Sequence, residues 1–190
     1  MLQKLFLEFV RSADRRISLS VTTEGDGDSS LHRQFQRGRD SEFDRLLCAL
    51  GRMAEYCLSS LIRHALDWRQ TKIDGLSRLP SLEATRRREG VEFVFCHLII
   101  ETLQQLSVHP IPERDIQMLL NLAFEQFERF TDSRISELYA EALGVISEHR
   151  HHQVRHRFLA ELRKLRSTES STEKIAAVLN GMKFFKGLLT

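Results

Sequence analysis

The sequence predicts an all-α protein of about seven helices that pack as antiparallel hairpins. Apolar residues recur at positions i, i+3, i+4 and i+7 through most of the 190 residues, which is the spacing of one buried helix face. The chain has 3 prolines and lacks the alternating valine-rich or isoleucine-rich runs that build a sheet. The connections after the third helix are short, and short connections favour antiparallel neighbours.

Local start signals agree with these apolar stripes. Asp40 and Ser41 precede the second helix, and Asp44 completes a Ser-x-x-Asp capping pattern. Pro112 suits a first helical position, because a helix end leaves that N–H unpaired anyway. The third helix is apolar nearly all round, so it should be the most buried element. The predicted helices are Leu2 to Leu19, Ser41 to Lys72, Thr85 to Ser107, Pro112 to Phe130, Ser133 to Glu148, Gln153 to Arg166, and Thr172 to Lys186.

Residues 22–39 form the one long segment without helical periodicity. Glycine, aspartate and serine occupy positions 25–30 without interruption, which is typical of a loop. We predict a mobile loop over residues 22–39, with its last part, residues 35–38, docked on the helices. The whole chain, residues 1–190, is predicted to be a single helical domain.

Composition and cysteine content indicate the compartment. The 28 basic and 26 acidic residues give a net charge of +2, which is ordinary for a soluble protein. Cys48, Cys57 and Cys96 are odd in number and each lies in an apolar helical pattern, so we predict buried thiols in a reducing, cytoplasmic environment. The most apolar run, residues 91–100, is about half the length that spans a bilayer, so no membrane insertion is expected.

Two basic groups are the candidate binding surfaces. The segment of residues 149–166 carries six arginines and lysines against Glu161 alone, and Arg86, Arg87 and Arg88 form a second group. Either group could be a plain solvated face, or it could bind an acidic protein, a microtubule surface or nucleic acid. Nucleic-acid binding is disfavoured because neither aromatic stacking residues nor a recognised reading module accompanies these arginines.

The histidines and cysteines also suggest chemistry, but the patterns are incomplete. His152 and His156 are spaced i, i+4 and could share a metal, yet no nearby cysteine or carboxylate cluster completes a ligand set, and neighbouring arginines repel a cation. Cys57 or Cys96 with a histidine lacks any nucleophile signature. We therefore expect no metal, no cofactor and no enzymatic activity.

Several motifs together resemble the Furry family of very large cell-morphogenesis scaffolds. The similarity extends from about Phe35 to Phe185 in separate blocks. The matching positions are Phe35-Gln36-Arg37-Gly38, Asp40, Phe43-Asp44, Leu46-Leu47, Ala49-Leu50-Gly51, Ala54-Glu55, Cys57-Leu58, Leu120-Asn121-Leu122-Ala123-Phe124, Leu138-Tyr139-Ala140-Glu141, Gly144-Val145, Val154-Arg155 and Gly181-Met182-Lys183-Phe184-Phe185.

The resemblance implies a fold, a function and partners. It implies a HEAT/armadillo-like solenoid, of which this chain is a fragment, that binds and promotes activation of NDR/LATS-type kinases with their MOB coactivators in cell morphogenesis and polarity. It also implies a link to the cytoskeleton. The alternative function is a helical-repeat module that binds microtubules or another negatively charged polymer.

Eight residues are the candidate partner-binding positions. The arginines are expected to contact an acidic partner, and the phenylalanines are expected on an apolar end that supports self-association or partner capture. These residues are Arg86, Arg87, Arg88, Arg155, Arg163, Arg166, Phe184 and Phe185.

Overall fold

The computed structural model describes residues 1–22, 35–36, 38–106, 111–129, 134–167 and 172–185. Within these residues the chain is all α, without a β-strand, and the predicted fold class is confirmed. A short 3₁₀ helix, Leu76–Arg78, follows the second α-helix. The α-helices are α1 (Leu2–Thr22), α2 (Ser41–Gly75), α3 (Ser81–Leu103), α4 (Glu113–Arg129), α5 (Arg134–Ser167) and α6 (Thr172–Gly181).

The predicted break between the fifth and sixth helices corresponds to a kink. Both helices belong to one element, α5, which is kinked at Arg150, with φ −130° and ψ 41°, between the predicted end at Glu148 and the predicted start at Gln153. The predicted second helix is also kinked, at Cys57 of α2, with φ −148° and ψ 37°, which its unbroken apolar stripe did not indicate. The predicted ends at Ser107, Phe130, Ser133 and Lys186 lie outside the described residues.

Contacts divide the chain into two compact units, Met1–His109 and Pro110–Thr190. In the first unit α1, α2 and α3 all pack against one another. Residues 91–96 and 98–100 of α3 are buried, as the apolar run predicted. The prediction of a single domain over residues 1–190 stays a prediction.

The first unit also buries charged groups. Arg69 of α2 donates two hydrogen bonds to Glu92 of α3, at 2.8 and 2.5 Å, and both side chains are buried. The guanidinium of Arg69 also lies 5.7 Å from the ring centroid of Phe95. A buried carboxylate needs such a partner, since desolvation of an unpaired charge is costly.

The segment before α2 is docked, as predicted for residues 35–38. The ring of Phe35 is buried and stacks on Phe93 at 5.7 Å. Gly38 adopts a φ of +86°, which glycine tolerates best, and its N–H donates to Asp44 at 2.6 Å. Asp40 caps α2 by accepting from two backbone N–H groups, so Asp44 holds the loop and does not complete the predicted capping pattern with Ser41. At the start of the predicted mobile loop, residue 22 is the last residue of α1, and residues 23–34 and 37 lie outside the described part.

The second unit is built around aromatic rings. Phe124 of α4 contacts Phe158 of α5 edge-on at 4.7 Å, and Phe127 lies 5.5 Å from Phe124. Gly181 of α6 lies directly against the Phe127 ring, so close that a Cβ at this position would be 2.4 Å from it. The helices α4, α5 and α6 therefore share one core.

None of the described helices combines the length and the apolar character that a membrane span requires.

Candidate protein-binding face on the second unit

The last four turns of α5 form a basic stripe. One side of this part of the helix is buried, at Val154, Phe158 and Leu165. The opposite side therefore faces solvent. At 100° per residue, Arg166 projects within about 20° of Arg155, and Arg163 within about 80°. All three arginines are exposed, and we call them the arginine row.

The arginine row has no counter-ion among the residues that the structure describes. Within the described residues, none of the three arginines pairs with a carboxylate. Glu161 is the only acidic residue among residues 151–167, and it pairs with Arg157 at 2.9 Å and Lys164 at 3.8 Å. The positive charge of the row is therefore available to an external acidic group.

An open groove of about 610 Å³ borders the row at its N-terminal end. Its volume lies within the range of about 300–1,000 Å³ that is typical of ligand clefts. Leu159 and Ala160 supply apolar surface. The polar side chains that line it are Gln117 of α4 and His152, Gln153, Arg155, His156 and Arg157 of α5.

Arg157 is held in place at the edge of this groove. Its guanidinium lies 5.3 Å from the Phe124 ring centroid and pairs with Glu161. The cation–π contact and the ion pair restrict the Arg157 side chain. The groove keeps a positive charge, because Arg155 pairs with none of the described carboxylates. The groove therefore combines one positioned and one solvent-facing guanidinium.

Glu113 joins the two helices beside the groove. Its two carboxylate oxygens accept hydrogen bonds from Gln117 at 2.9 Å and from Gln153 at 2.7 Å. These bonds from Gln117 and Gln153, with the charge of Arg150, lower the pKa of the Glu113 carboxyl. The side-chain oxygen of Gln153 is buried and accepts no hydrogen bond from the described residues. The groove thus presents cationic donors, whereas the Gln153 oxygen lies beneath its surface.

The histidines do not gather around a metal. His151 stacks on Phe185 with ring centroids 4.9 Å apart, whereas His152 and His156 are exposed and line the groove. No group of three or more histidine, cysteine, aspartate or glutamate side chains in the described part of the chain could hold a metal ion. His151 is therefore a packing residue.

The two candidate phenylalanines have different environments. Phe184 is 37% exposed, but Phe185 is 9% exposed and lies 6.1 Å from Phe158. The expectation of an apolar surface is wrong for Phe185, because the chain turns back after α6 and buries that ring. Gly144 makes this turn possible, since a Cβ there would lie 2.8 Å from Phe184. Partner binding by either ring stays a prediction.

Arg86, Arg87 and Arg88 lie on α3, in the first unit, so they do not share a unit with the arginine row. All three are half-buried. Arg87 pairs with Glu83 at 2.8 Å, and Arg88 also has an interaction partner. This group offers less free positive charge than the row on α5. Its role in partner binding stays a prediction.

The cysteines follow the prediction only in part. Cys96 is buried and Cys57 is half-buried, but Cys48 is exposed. Cys48 follows the buried Leu47 by one position, which on a helix is a rotation of about 100° away from the core. The prediction of a buried thiol is therefore wrong for Cys48.

Sequence reasoning identified the arginine row but not the groove. Gln117 and Gln153 are brought together across two helices by Glu113, and no local pattern links residues so far apart in sequence. The only local sequence signal for the groove is the i, i+4 spacing of His152 and His156, and that spacing suggests a metal site and not a groove.

An all-α fold with an exposed basic helix face is typical of proteins that bind other macromolecules. Comparison with known proteins identifies the family. Residues 85–187 match the family model described as "Cell morphogenesis N-terminal" (MOR2-PAG1_N), which is more than half of the chain. The chain belongs to this family of Furry-like cell-morphogenesis proteins. The eight candidate partner-binding residues all lie within the matched segment.

One similar relative is the protein of Schizosaccharomyces pombe described as "Cell polarity protein mor2". It is 24% identical over 198 residues, which cover 92% of this chain and 9% of the relative. The chain therefore spans a small part of that protein. No solved structure matches the chain.

Proposed function

We propose that this chain is a non-enzymatic scaffold segment that acts in cell morphogenesis and polarity by binding an NDR/LATS-type kinase with its MOB coactivator and promoting activation of the kinase. Family membership and the polarity protein mor2 support the coarser role. The kinase and MOB partners come from the resemblance to the Furry family.

The arginine row on α5 carries the proposal. It lies in the family-matched segment, it is exposed, and its three arginines pair with no described carboxylate. Arginine suits a protein partner because its planar guanidinium binds carboxylates through two hydrogen bonds. Loss of three exposed ion pairs, at about 0.2–1 kcal/mol each, would weaken binding by about threefold to a hundredfold.

The decisive experiment changes Arg155, Arg163 and Arg166 to glutamate in the full chain. Binding to a preassembled NDR-type kinase and MOB complex is measured by surface plasmon resonance, and kinase activity is assayed with and without the chain. We expect the loss of affinity mainly as slower association, because the arginines steer an acidic partner. Melting should stay nearly unchanged, since none of the three is a core residue.

A charge-matched control separates local contact from net charge. Arg11, Arg45 and Arg52 are exposed in the first unit, so their change to glutamate alters the net charge equally. This control should retain kinase and MOB binding, because none of its three positions belongs to the arginine row. Unchanged association of the α5 variant at low salt would contradict the assignment of the row.

The same basic row also fits the alternative function, a module for microtubules. Cosedimentation with microtubules over a range of salt concentrations tests it. Steeply salt-dependent binding to microtubules, without binding to the kinase and MOB complex, would favour the alternative.

A further inference from the structure

The groove and the arginine row form one continuous surface along α5. Arg155 belongs to both, and Arg166 lies 11 positions further along the helix. At about 1.5 Å per residue, their Cα atoms are separated by about 16 Å along the axis. An extended peptide spans about 3.3 Å per residue and alternates its side chains between two faces, so residues about four positions apart share a face and lie about 13 Å apart, a distance that the flexible arginine and glutamate side chains can match to Arg155 and Arg166.

The groove end is suited to a polypeptide segment as well as to an anion. Leu159 and Ala160 supply apolar surface in the groove, which the apolar side chains of a peptide can cover and a small anion cannot. Arg155, which also lines the groove, supplies the cation for a neighbouring acidic side chain.

We infer that this surface binds an extended acidic segment of a protein partner, with one carboxylate at Arg155 in the groove and a second about four residues away, on the same face of the segment, at Arg166. The inference rests on the proposed function, because it describes how the arginine row recognises its acidic protein partner. It adds a spacing requirement, which net charge alone does not impose.

Two fluorescent peptides of identical composition test the spacing. One carries two glutamates four positions apart in an otherwise uncharged sequence, so that both lie on one face of the extended peptide, and the other carries them adjacent. Anisotropy titrations with the full chain should show about twofold to fivefold tighter binding of the spaced peptide, which is the effect of one additional exposed ion pair. Equal affinities would overturn the inference.

Arg166→Gln identifies the second contact. It should remove the advantage of the spaced peptide and leave binding of the adjacent-pair peptide unchanged, while Arg52→Gln in the first unit should change neither. A uniform loss for both peptides on Arg166→Gln would show a general charge effect and would overturn the spacing. A poly-thymidine oligonucleotide that binds more tightly than the spaced peptide, with the same loss on Arg166→Gln, would show a polyanion surface instead.

The outcomes separate this inference from the proposed function. If the kinase and MOB complex binds but the two peptides are not distinguished, the inference fails and the proposed function stands. If the spaced peptide is preferred but the complex does not bind, the proposed partner fails and the spacing stands.

Discussion

In the first unit Arg69 and Glu92 are both buried and bonded to each other, whereas in the second unit Arg155, Arg163 and Arg166 lie in solvent. The buried pair connects α2 to α3, so its charges are part of the packing. The three arginines on α5 connect nothing within the described structure. Arginine thus contributes to helix packing where it is buried, as at Arg69, and leaves its charge in solvent where it is exposed, as on α5.

The difference also explains why the two basic groups of the sequence are not equivalent. Arg87 pairs with Glu83 on the same helix, and half-burial of Arg86 and Arg88 limits their reach. Charge that is already paired attracts a partner only weakly. Mutation of the buried charged residues in the first unit is therefore expected to lower the free energy of unfolding. Mutation of the arginine row in the second unit is expected to weaken partner binding.

The largest expected effect is the loss of the buried carboxylate. Glu92→Leu removes the carboxylate that accepts two hydrogen bonds from the buried Arg69 guanidinium, which costs about 3–5 kcal/mol of unfolding free energy. Trp68 is the only tryptophan and lies in the first unit, so its fluorescence during urea unfolding reports on that unit. Arg69→Met combined with Glu92→Leu should recover most of the loss, because it removes both charges.

Glu161 of the second unit is the matched test. Its partner Arg157 is 35% exposed, and water can solvate that guanidinium when the carboxylate is removed. Glu161→Leu should therefore cost only about 1 kcal/mol, measured by circular dichroism during urea unfolding. Equal losses for Glu92→Leu and Glu161→Leu would break the distinction between the two units.

An effect smaller than that of Glu92→Leu is expected where α6 approaches α4. Gly181→Ala places a Cβ 2.4 Å from the buried Phe127 ring, and overpacking of this kind costs about 1–3 kcal/mol. Urea unfolding followed by circular dichroism measures it. Gly75→Ala is the control, because nothing lies within 4 Å of its Cβ and alanine favours a helix by about 1 kcal/mol. A gain in both variants would show that α6 does not pack as described.

The smallest effect concerns the thiols of the first unit. Cys48→Ser should change the unfolding free energy by less than about 0.5 kcal/mol, because Cys48 is exposed. In alkylation at neutral pH, Cys48 should react first. Burial raises the pKa of the Cys57 thiol, so less of the reactive thiolate is present there, and Cys96 should react only after unfolding. Mass spectrometry of the labelled peptides gives the order, and preferential labelling of Cys57 would contradict it.

Periodicity alone predicted most of the helical structure. The apolar run of α3 predicted its burial, and the family-like residues 35–38 predicted a docked segment that Phe35 confirms. These predictions succeeded because helix formation and the position of an apolar stripe depend on residues within a few turns of one another. The basic stripe on α5 follows from the same periodicity, since the buried Val154 and Phe158 determine which side faces water.

The remaining features depend on residues that are distant in sequence. Helix periodicity did not show that α2 is kinked at Cys57, that Phe185 turns back onto Phe158, or that Glu113 joins Gln117 to Gln153 beside a groove. Each of these depends on which surfaces of different helices meet, and a local pattern holds no information about its partner. The sequence alone thus determined the class of fold and the basic face of α5. The tertiary structure decided which charged side chains are buried and where α4 and α5 form a groove beside that face, because both depend on contacts between different helices.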